Sequence, residues 1–408
     1  MKIFIKTFGC KVNQYESEKI KYNLKINKHE IVNSFKKSDV TIINSCIVTQ
    51  KSEKKSKDLV KQIKNYNKNI EIILIGCLVE KESIKEADYN INNKNKIKNT
   101  LKILDVNNIQ PLEKIKKQTR AFIKIQDGCD QFCSYCIIPY VRKNITNKPI
   151  KKIIHEAEKL SVNGFKEIVL TGIHLGKHPG LVDIIEKISK INNIKRIRLS
   201  SIQINEISNE LIQQLSVNNK MMEHLHISLQ SGSNKILKLM NRPYSKEYFI
   251  DKVKTIRKKI PSFGLSTDLI VGFPGEEKKD FYQSLNLLRK LKFHRVHVFP
   301  YSRREGTKAF KMKDVVPEKI KNKRAKKIRK ISSQIFSKFV NDLKKRTYKV
   351  LVEASKNGNS YGYTENYLRC KILNDIIKPN EIVNTKIIDK INNKHLIIGR
   401  KKLGGIYG

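Results

Sequence analysis

Three cysteines stand together in Cys129-Asp130-Gln131-Phe132-Cys133-Ser134-Tyr135-Cys136, a C-x3-C-x2-C spacing. Thiolates this close can converge on one metal centre. Three of them around a four-iron cluster leave one iron open to a small molecule. A zinc knuckle is the alternative, but no Cys or His follows closely enough to complete a tetrahedron. A second set, Cys10, Cys46 and Cys77, is scattered, yet each member lies just past the carboxyl end of an expected strand. Parallel sheets bind ligands there, so these thiols can meet despite their separation; three independent buried thiols are the plainer reading. Cys370 has no partner and reads as core. Seven cysteines in a chain expected in the reducing cytoplasm suit metal ligands and buried thiols better than disulfides.

The elements that must position these residues follow from the apolar pattern. Up to about residue 87 strand and helix alternate: strands at 2–6, 40–44 and 71–75, a helix from about Glu16 and another over 52–65. That pattern predicts a small parallel α/β domain, assigned to residues 1–105. A stretch rich in Lys and Asn, from about Tyr89 to Lys117, reads as containing the first linker. Six apolar strand-like runs then recur at 122–125, 167–171, 196–199, 224–229, 265–271 and 295–299, each followed by a helical pattern. At about 180 residues they fall short of a full eight-unit barrel of about 250, so an open six-stranded partial barrel is expected within residues 115–345. The loop carrying Cys129 would then sit at the reactive, C-terminal face of that barrel. His224 and His226 share one strand face and read as polar barrel lining. A basic helix follows Pro317 and runs to about Arg346. Short alternating strands at 349–353, 368–372, 382–388 and 395–398 describe a small β barrel over 346–408, a type that often binds oligonucleotides. The fold class is therefore α/β with a C-terminal β barrel.

Lys and Arg outnumber Asp and Glu by 84 to 38, a formal charge of +46 that would draw a polyanion. Enrichment in Lys, Asn and Ile, which adenine- and thymine-rich codons encode, accounts for part of that excess, so charge alone does not settle the partner. No run approaches the roughly 18 to 20 apolar residues of a membrane helix. The start of the chain reads as a strand rather than a leader, and a cytoplasmic location is expected.

At these residues the sequence resembles the radical S-adenosylmethionine methylthiotransferases over nearly its whole length. Gly9-Cys10-Lys11-Val12-Asn13-Gln14 and Leu170-Thr171-Gly172-Ile173-His174-Leu175-Gly176 look like the bacterial branch acting on N6-threonylcarbamoyladenosine in tRNA. The isopentenyladenosine branch usually shows Gln-Met-Asn after the first Cys, and the ribosomal-protein branch Pro-Lys-Asn. The resemblance implies two 4Fe-4S clusters, one on Cys129, Cys133 and Cys136 and one on Cys10, Cys46 and Cys77. It also implies S-adenosylmethionine bound at the open iron, an outside one-electron reductant, and a 5′-deoxyadenosyl radical that activates adenine C2. The second cluster would carry the sulfur delivered as methylthio. The last domain would be a TRAM barrel that binds tRNA, with no membrane partner. Tyr135, Asp268 and Gly272 would contact the cofactor, and Arg142 and Arg303 the substrate. Two departures stand out: Lys143-Asn144-Ile145-Thr146 replaces a Gly- and Arg-rich run, and Gln203-Ile204 replaces Glu-Pro. Methylthiolation of isopentenyladenosine or of a ribosomal protein, and a non-catalytic metal-containing RNA-binding protein, remain the competing functions.

Overall fold

Buried strands of a parallel sheet read as nearly continuous apolar runs, and Val40–Ser45 and Glu71–Gly76 do so because both of their faces are covered. The computed structural model describes residues 1–113, 119–391 and 395–406. Its N-terminal unit runs β1 (Lys2–Thr7), α1 (Lys11–Ile26), β2 (Glu30–Val32), β3 (Val40–Ser45), α2 (Gln50–Tyr66), β4 (Glu71–Gly76), β5 (Tyr89–Ile91) and α3 (Lys96–Ile103). The strands form one parallel sheet in the order β2-β1-β3-β4-β5. The chain reverses its winding between β1 and β3, which opens a crevice beyond their carboxyl ends.

Two expectations are corrected here. Helix α1 starts at Lys11 rather than near Glu16, because the turn at Gly9 feeds the helix directly and makes Cys10 its N-cap. Val12 and Tyr15, in its first turns, are already buried. The stretch read as holding a linker contains β5 and α3, whose Ile91 and Leu101 enter the N-terminal core with Leu104 and Val106. Frequent Lys and Asn on the outer face hid that periodicity. The part of the expected linker at 114–118 lies outside the described residues.

The middle unit comprises β6 (Arg120–Asp127), α4 (Ile138–Val141), β7 (Thr146–Asn147), α5 (Ile150–Val162), β8 (Glu167–Gly172), α6 (Leu181–Ser189), β9 (Arg196–Leu199), β10 (Ser201–Ile202) and α7 (Asn209–Val217). It continues with β11 (His224–Ile227), α8 (Asn234–Leu239), α9 (Lys246–Lys259), β12 (Gly264–Val271), α10 (Lys278–Lys290) and β13 (Arg295–Pro300). Two four-stranded sheets, β7-β6-β8-β9 and β10-β11-β12-β13, meet where Ile197 of β9 bridges to Met221 beside β11. The six expected strands thus form one parallel arc, β6-β8-β9-β11-β12-β13. Ile123, Ile168, Ile197, Leu225 and Leu265 pack outward into the helices. The opposite, concave face carries the polar residues that alternate with them.

Helix α11 (Glu318–Leu343) joins this arc to the C-terminal barrel. Its Ile328 and Ile331 enter the middle core, and its Phe336, Val340 and Leu343 the C-terminal one. Strands β14 (Thr347–Lys356), β15 (Asn359–Thr364), β16 (Arg369–Ile372), β17 (Ile382–Ile391) and β18 (Leu396–Ile406) close in the order β14-β15-β16-β18-β17. Strand β15 was not anticipated: its inward positions are Ser360, Gly362 and Thr364, so no apolar alternation marks it. Cys370 is buried in this core as expected, and burial pushes its thiol up to about 12.

Candidate active site

Gly9 and Gly76 place two of the scattered cysteines. Gly9 has φ +97°, and a Cβ there would meet Cys46 Sγ at 2.7 Å; Gly76 has φ +101°, and a Cβ would strike Asn44 Oδ1 and the Ser45 carbonyl at 2.8 Å. Glycine alone suits such turns, and each turn delivers the next residue, Cys10 or Cys77, to the carboxyl edge of the sheet. Cys46 follows β3 on the same edge. The three thiols lie within electrostatic reach of one another: burial raises Cys46 to about 11, and Cys77 and Cys10 add to the rise. Cys10 is exposed as the N-cap of α1, yet the packing around its thiol raises it, with Arg142 and Asn13 pulling the other way.

The second triplet occupies the loop after β6. Cys129 Sγ stands 3.5 Å from His174 Nδ1, and Arg242 Nη1 donates to Cys133 Sγ at 3.2 Å. Burial and the neighbouring Cys133 raise Cys136 to about 12. Burial would lower His174, but hydrogen bonds to Cys129 and Glu206 bring it up to about 9. Gln203 also meets its Nε2, so the segment that departs from the expected Glu-Pro holds this ring.

Both triplets suit iron-sulfur clusters. All six thiols are free, and each set has an arginine N–H on a sulfur. Among the described residues no trio of His, Cys, Asp or Glu is poised around a single metal ion. A cubane cluster gives each cysteine its own iron, so its ligands stand farther apart than those of one ion.

Arg142, expected to meet substrate, is buried and borders a cavity with Lys143 and Asn144. Its Nε donates to Cys77 Sγ at 3.5 Å, Nη2 to Asn13 Oδ1 at 2.9 Å and Nη1 to Asp127 Oδ1 at 2.6 Å, and Glu16 lies 3.3 Å away. Glu16 also receives Lys96 at 2.6 Å and Lys124 at 2.8 Å. Burial alone would raise Glu16, but Lys124, Lys96 and Arg142 outweigh it and hold the carboxyl well below its usual range. This network ties α1 to β6 and to the loop after the second triplet.

The other expected residues separate. Tyr135 is half-buried near Cys133 and Cys136, edge-on to Phe273 at 6.4 Å between ring centres. Asp268 accepts from His226 at 3.1 Å on the concave face. Gly272 has a packing reason of its own, since a Cβ would strike Lys321 Cγ at 2.1 Å. Arg303 is exposed and lies over Phe310, whereas its neighbour Arg304 is buried against Glu53 of α2 at 2.6 Å. His224 and His226 share Ser266 at 2.8 and 3.0 Å, as polar lining should. Burial takes His297 down to about 4 and His294 to about 3, so both rings are neutral at pH 7. Sequence reasoning missed the contacts of Arg242 and Glu16, and nothing in their spacing marks them. The contacts of His174 were missed too, although its segment had been singled out.

Lys11, directly after Cys10, is half-buried. Burial lowers its ammonium, and Tyr367, Arg120, Arg198 and Glu167 act on it next. It acts in turn on His224 and Asp268. The amino-terminal mouth of the arc is closed by the β15–β16 turn. There Tyr367 stacks on Tyr363 at 4.7 Å, lies under Arg198 at 4.5 Å and accepts from Arg120 at 3.1 Å.

Residues 2–98 match a family model described as Uncharacterized protein family UPF0004, and residues 123–288 one described as the Radical SAM superfamily. The threonylcarbamoyladenosine tRNA methylthiotransferase MtaB of Bacillus subtilis (strain 168) is 33% identical over 94% of this chain and 92% of its own length. MtaB of Thermotoga maritima is 36% identical over 90% of each. The tRNA-2-methylthio-N(6)-dimethylallyladenosine synthase of Thermodesulfovibrio yellowstonii is 34% identical over 94% of this chain and 95% of its own. Among solved structures, the radical S-adenosylmethionine methyltransferase TsrM from Kitasatospora setae, with cobalamin and a 4Fe-4S cluster bound, shares the fold at TM-score 0.56. It covers 76% of each chain at 11% identity. With full-length relatives above 30% identity and two cysteine triplets in the matched regions, the chain belongs to the radical S-adenosylmethionine methylthiotransferase family.

Proposed function

We propose that the protein places a methylthio group on C2 of N6-threonylcarbamoyladenosine at position 37 of tRNA, working in the cytoplasm with an outside one-electron reductant. The observation that carries this reading is the pair of cysteine triplets, on two domains, held together through Arg142. Cys129, Cys133 and Cys136 would hold one 4Fe-4S cluster and Cys10, Cys46 and Cys77 the other. The clusters and S-adenosylmethionine supply reductive radical formation at a carbon with no acidic proton, together with the sulfur to be transferred.

The chain's own residues bind, orient and exclude. Arg242 fixes Cys133 and is itself held by Tyr244 Oη at 3.0 Å and by the Ser228 carbonyl. Tyr135, beside Cys133 and Cys136, offers a ring to a cofactor adenine, and Asp268, braced by His226, offers a carboxylate to its polar end. Arg303, exposed and donating to the Phe310 carbonyl, would turn its remaining N–H groups to RNA phosphate, and the closed C-terminal barrel, as a TRAM-type domain, would grip the tRNA. The Tyr363 and Tyr367 turn keeps water from entering the concave face from below.

Replacing each triplet by alanine tests the assignment. Each triple variant should retain about half of the wild-type iron and make no methylthiolated product. The variant lacking Cys10, Cys46 and Cys77 should still cleave S-adenosylmethionine, and the other should not. Full iron or surviving product in either variant would refute it.

A further inference from the structure

Between the N-terminal and middle domains lies a cavity of about 710 Å³, lined by α1, the first turn of α3, the end of β6 and the loop after α4. Two of its lining residues touch a cysteine of the first triplet: Arg142 Nε donates to Cys77 Sγ at 3.5 Å, and Asn93 Nδ2 lies 3.8 Å from the same sulfur. The lining carries seven cationic side chains against three carboxylates, and those carboxylates are already engaged. Glu16 receives Lys96, Lys124 and Arg142, Asp127 receives Lys124 and Arg142, and Glu80 accepts from the Asn93 N–H. The remaining four cations, Lys19, Lys94, Lys98 and Lys143, make no hydrogen bond or ion pair among the described residues. Lys19 is half-buried: burial lowers its ammonium, Glu156 opposes that, and Lys148, Lys124 and Lys152 add to the lowering. Asn95, the N-cap of α3, makes no side-chain cap bond, which leaves first-turn N–H groups beside the cavity for a ligand.

We propose that this cavity is a phosphate-binding site for the sugar–phosphate backbone of the substrate RNA, with Lys94, Lys98 and Lys143 as its outer contacts and Lys19 as its inner one. The assignment rests on the reading of tRNA as substrate. Unpaired ammonium groups around neutralised carboxylates select an anion. Lys94, Lys98 and Lys143 are exposed, so the cavity opens to solvent, and its volume exceeds that of a single phosphate. Such a space takes a stretch of chain rather than one free ion. Lysines meet phosphate as mobile point charges and read no base, so the site positions the RNA without choosing its sequence. Backbone held beside Cys77 brings the nucleotide it carries toward the place where the sulfur-carrying cluster would sit.

The test uses the full-length, cluster-loaded protein and a labelled anticodon stem-loop RNA carrying N6-threonylcarbamoyladenosine, with affinity read by fluorescence anisotropy across a salt series. Each phosphate contact in a single-stranded loop contributes about 0.7 to the negative slope of log affinity against log salt. The triple variant Lys94→Gln, Lys98→Gln, Lys143→Gln should therefore have a slope shallower by about two, and should bind about tenfold or more weakly at physiological salt. Partial folding in a variant rescales every affinity alike and leaves the slope as it was. A control variant, Lys190→Gln, Lys195→Gln, Lys258→Gln, alters exposed lysines at the amino-terminal end of the arc and should keep the wild-type slope. Backbone contacts carry no base information, so the preference for modified over unmodified stem-loop should be the same in the triple variant and the wild type. An unchanged slope in the triple variant overturns the assignment, as does an equal loss in the control or a lost preference for the modified RNA. Displacement of the RNA by inorganic phosphate at matched ionic strength overturns it too, for it marks a free-anion site. A wild type that fails to bind the RNA, or binds it without salt dependence, overturns the tRNA reading as well.

Discussion

At the scale of single residues, Arg142 joins the neighbourhoods of the two cysteine triplets. Its guanidinium is buried between Cys77 and Asn13 of the N-terminal domain and Asp127 of the middle one. Losing it leaves Glu16 and Asp127 with one cation fewer in a buried network, and breaking such a network typically costs about 3 to 5 kcal/mol. Arg142→Met should therefore lower the unfolding free energy by about that amount. It should also deplete iron from the Cys10, Cys46 and Cys77 site while the C-x3-C-x2-C site stays loaded. Denaturant unfolding and iron analysis in parallel check this; an unchanged midpoint with full iron would contradict it. Arg142→Lys should recover only part, since lysine lacks the planar fork. The six cysteines were legible from spacing and strand ends. The surroundings of Arg142 were not, because its partner Glu16 lies 126 residues away on another domain.

Among elements, the β15–β16 turn and the first residues of β8 and β9 form a charged joint. Glu167 lies 3.0 Å from Arg198 and 3.6 Å from Arg196, and Arg196 also donates to the Tyr363 and Lys349 carbonyls at 3.0 and 2.7 Å. Burial would raise Glu167, but Arg198, Arg196 and Arg120 outweigh it and hold the carboxyl below its ordinary value of 4.5. The stabilisation is therefore complete above that value and is lost as pH falls through the lower folded-state value. Glu167→Gln should melt below the wild type at pH 7, and the gap should narrow as pH drops below about 4. Thermal melts at both pH values decide it, and a constant gap would contradict the pairing. The six-stranded arc was legible because short apolar runs, several alternating with polar residues, recur along the sequence and a helical pattern follows each. Strand β15 and helix α3 were hidden, the one by small polar inward residues, the other by Lys and Asn between its apolar positions. The joint itself could not be read, for it depends on contacts between residues more than 150 positions apart, such as Arg196 with Lys349.

For the whole molecule, three domains meet through a few shared elements. Helix α11 enters two hydrophobic cores, Arg304 reaches Glu53 on α2, and Arg142, in the loop after the second cysteine triplet, reaches Cys77 of the first. No described helix is long and apolar enough to cross a membrane. A formal charge of +46 suits an RNA substrate, yet charge did not identify the reaction; the family resemblance carried by the cysteine motifs and the segments around Cys10 and His174 did. The most direct measurement is mass spectrometry of nucleosides from tRNA of a bacterial strain that makes N6-threonylcarbamoyladenosine but lacks the methylthiolating activity, with and without this chain expressed. The account predicts that 2-methylthio-N6-threonylcarbamoyladenosine appears with the chain and is absent from the Cys129→Ala variant. Soluble, iron-loaded protein that leaves N6-threonylcarbamoyladenosine unchanged would contradict it.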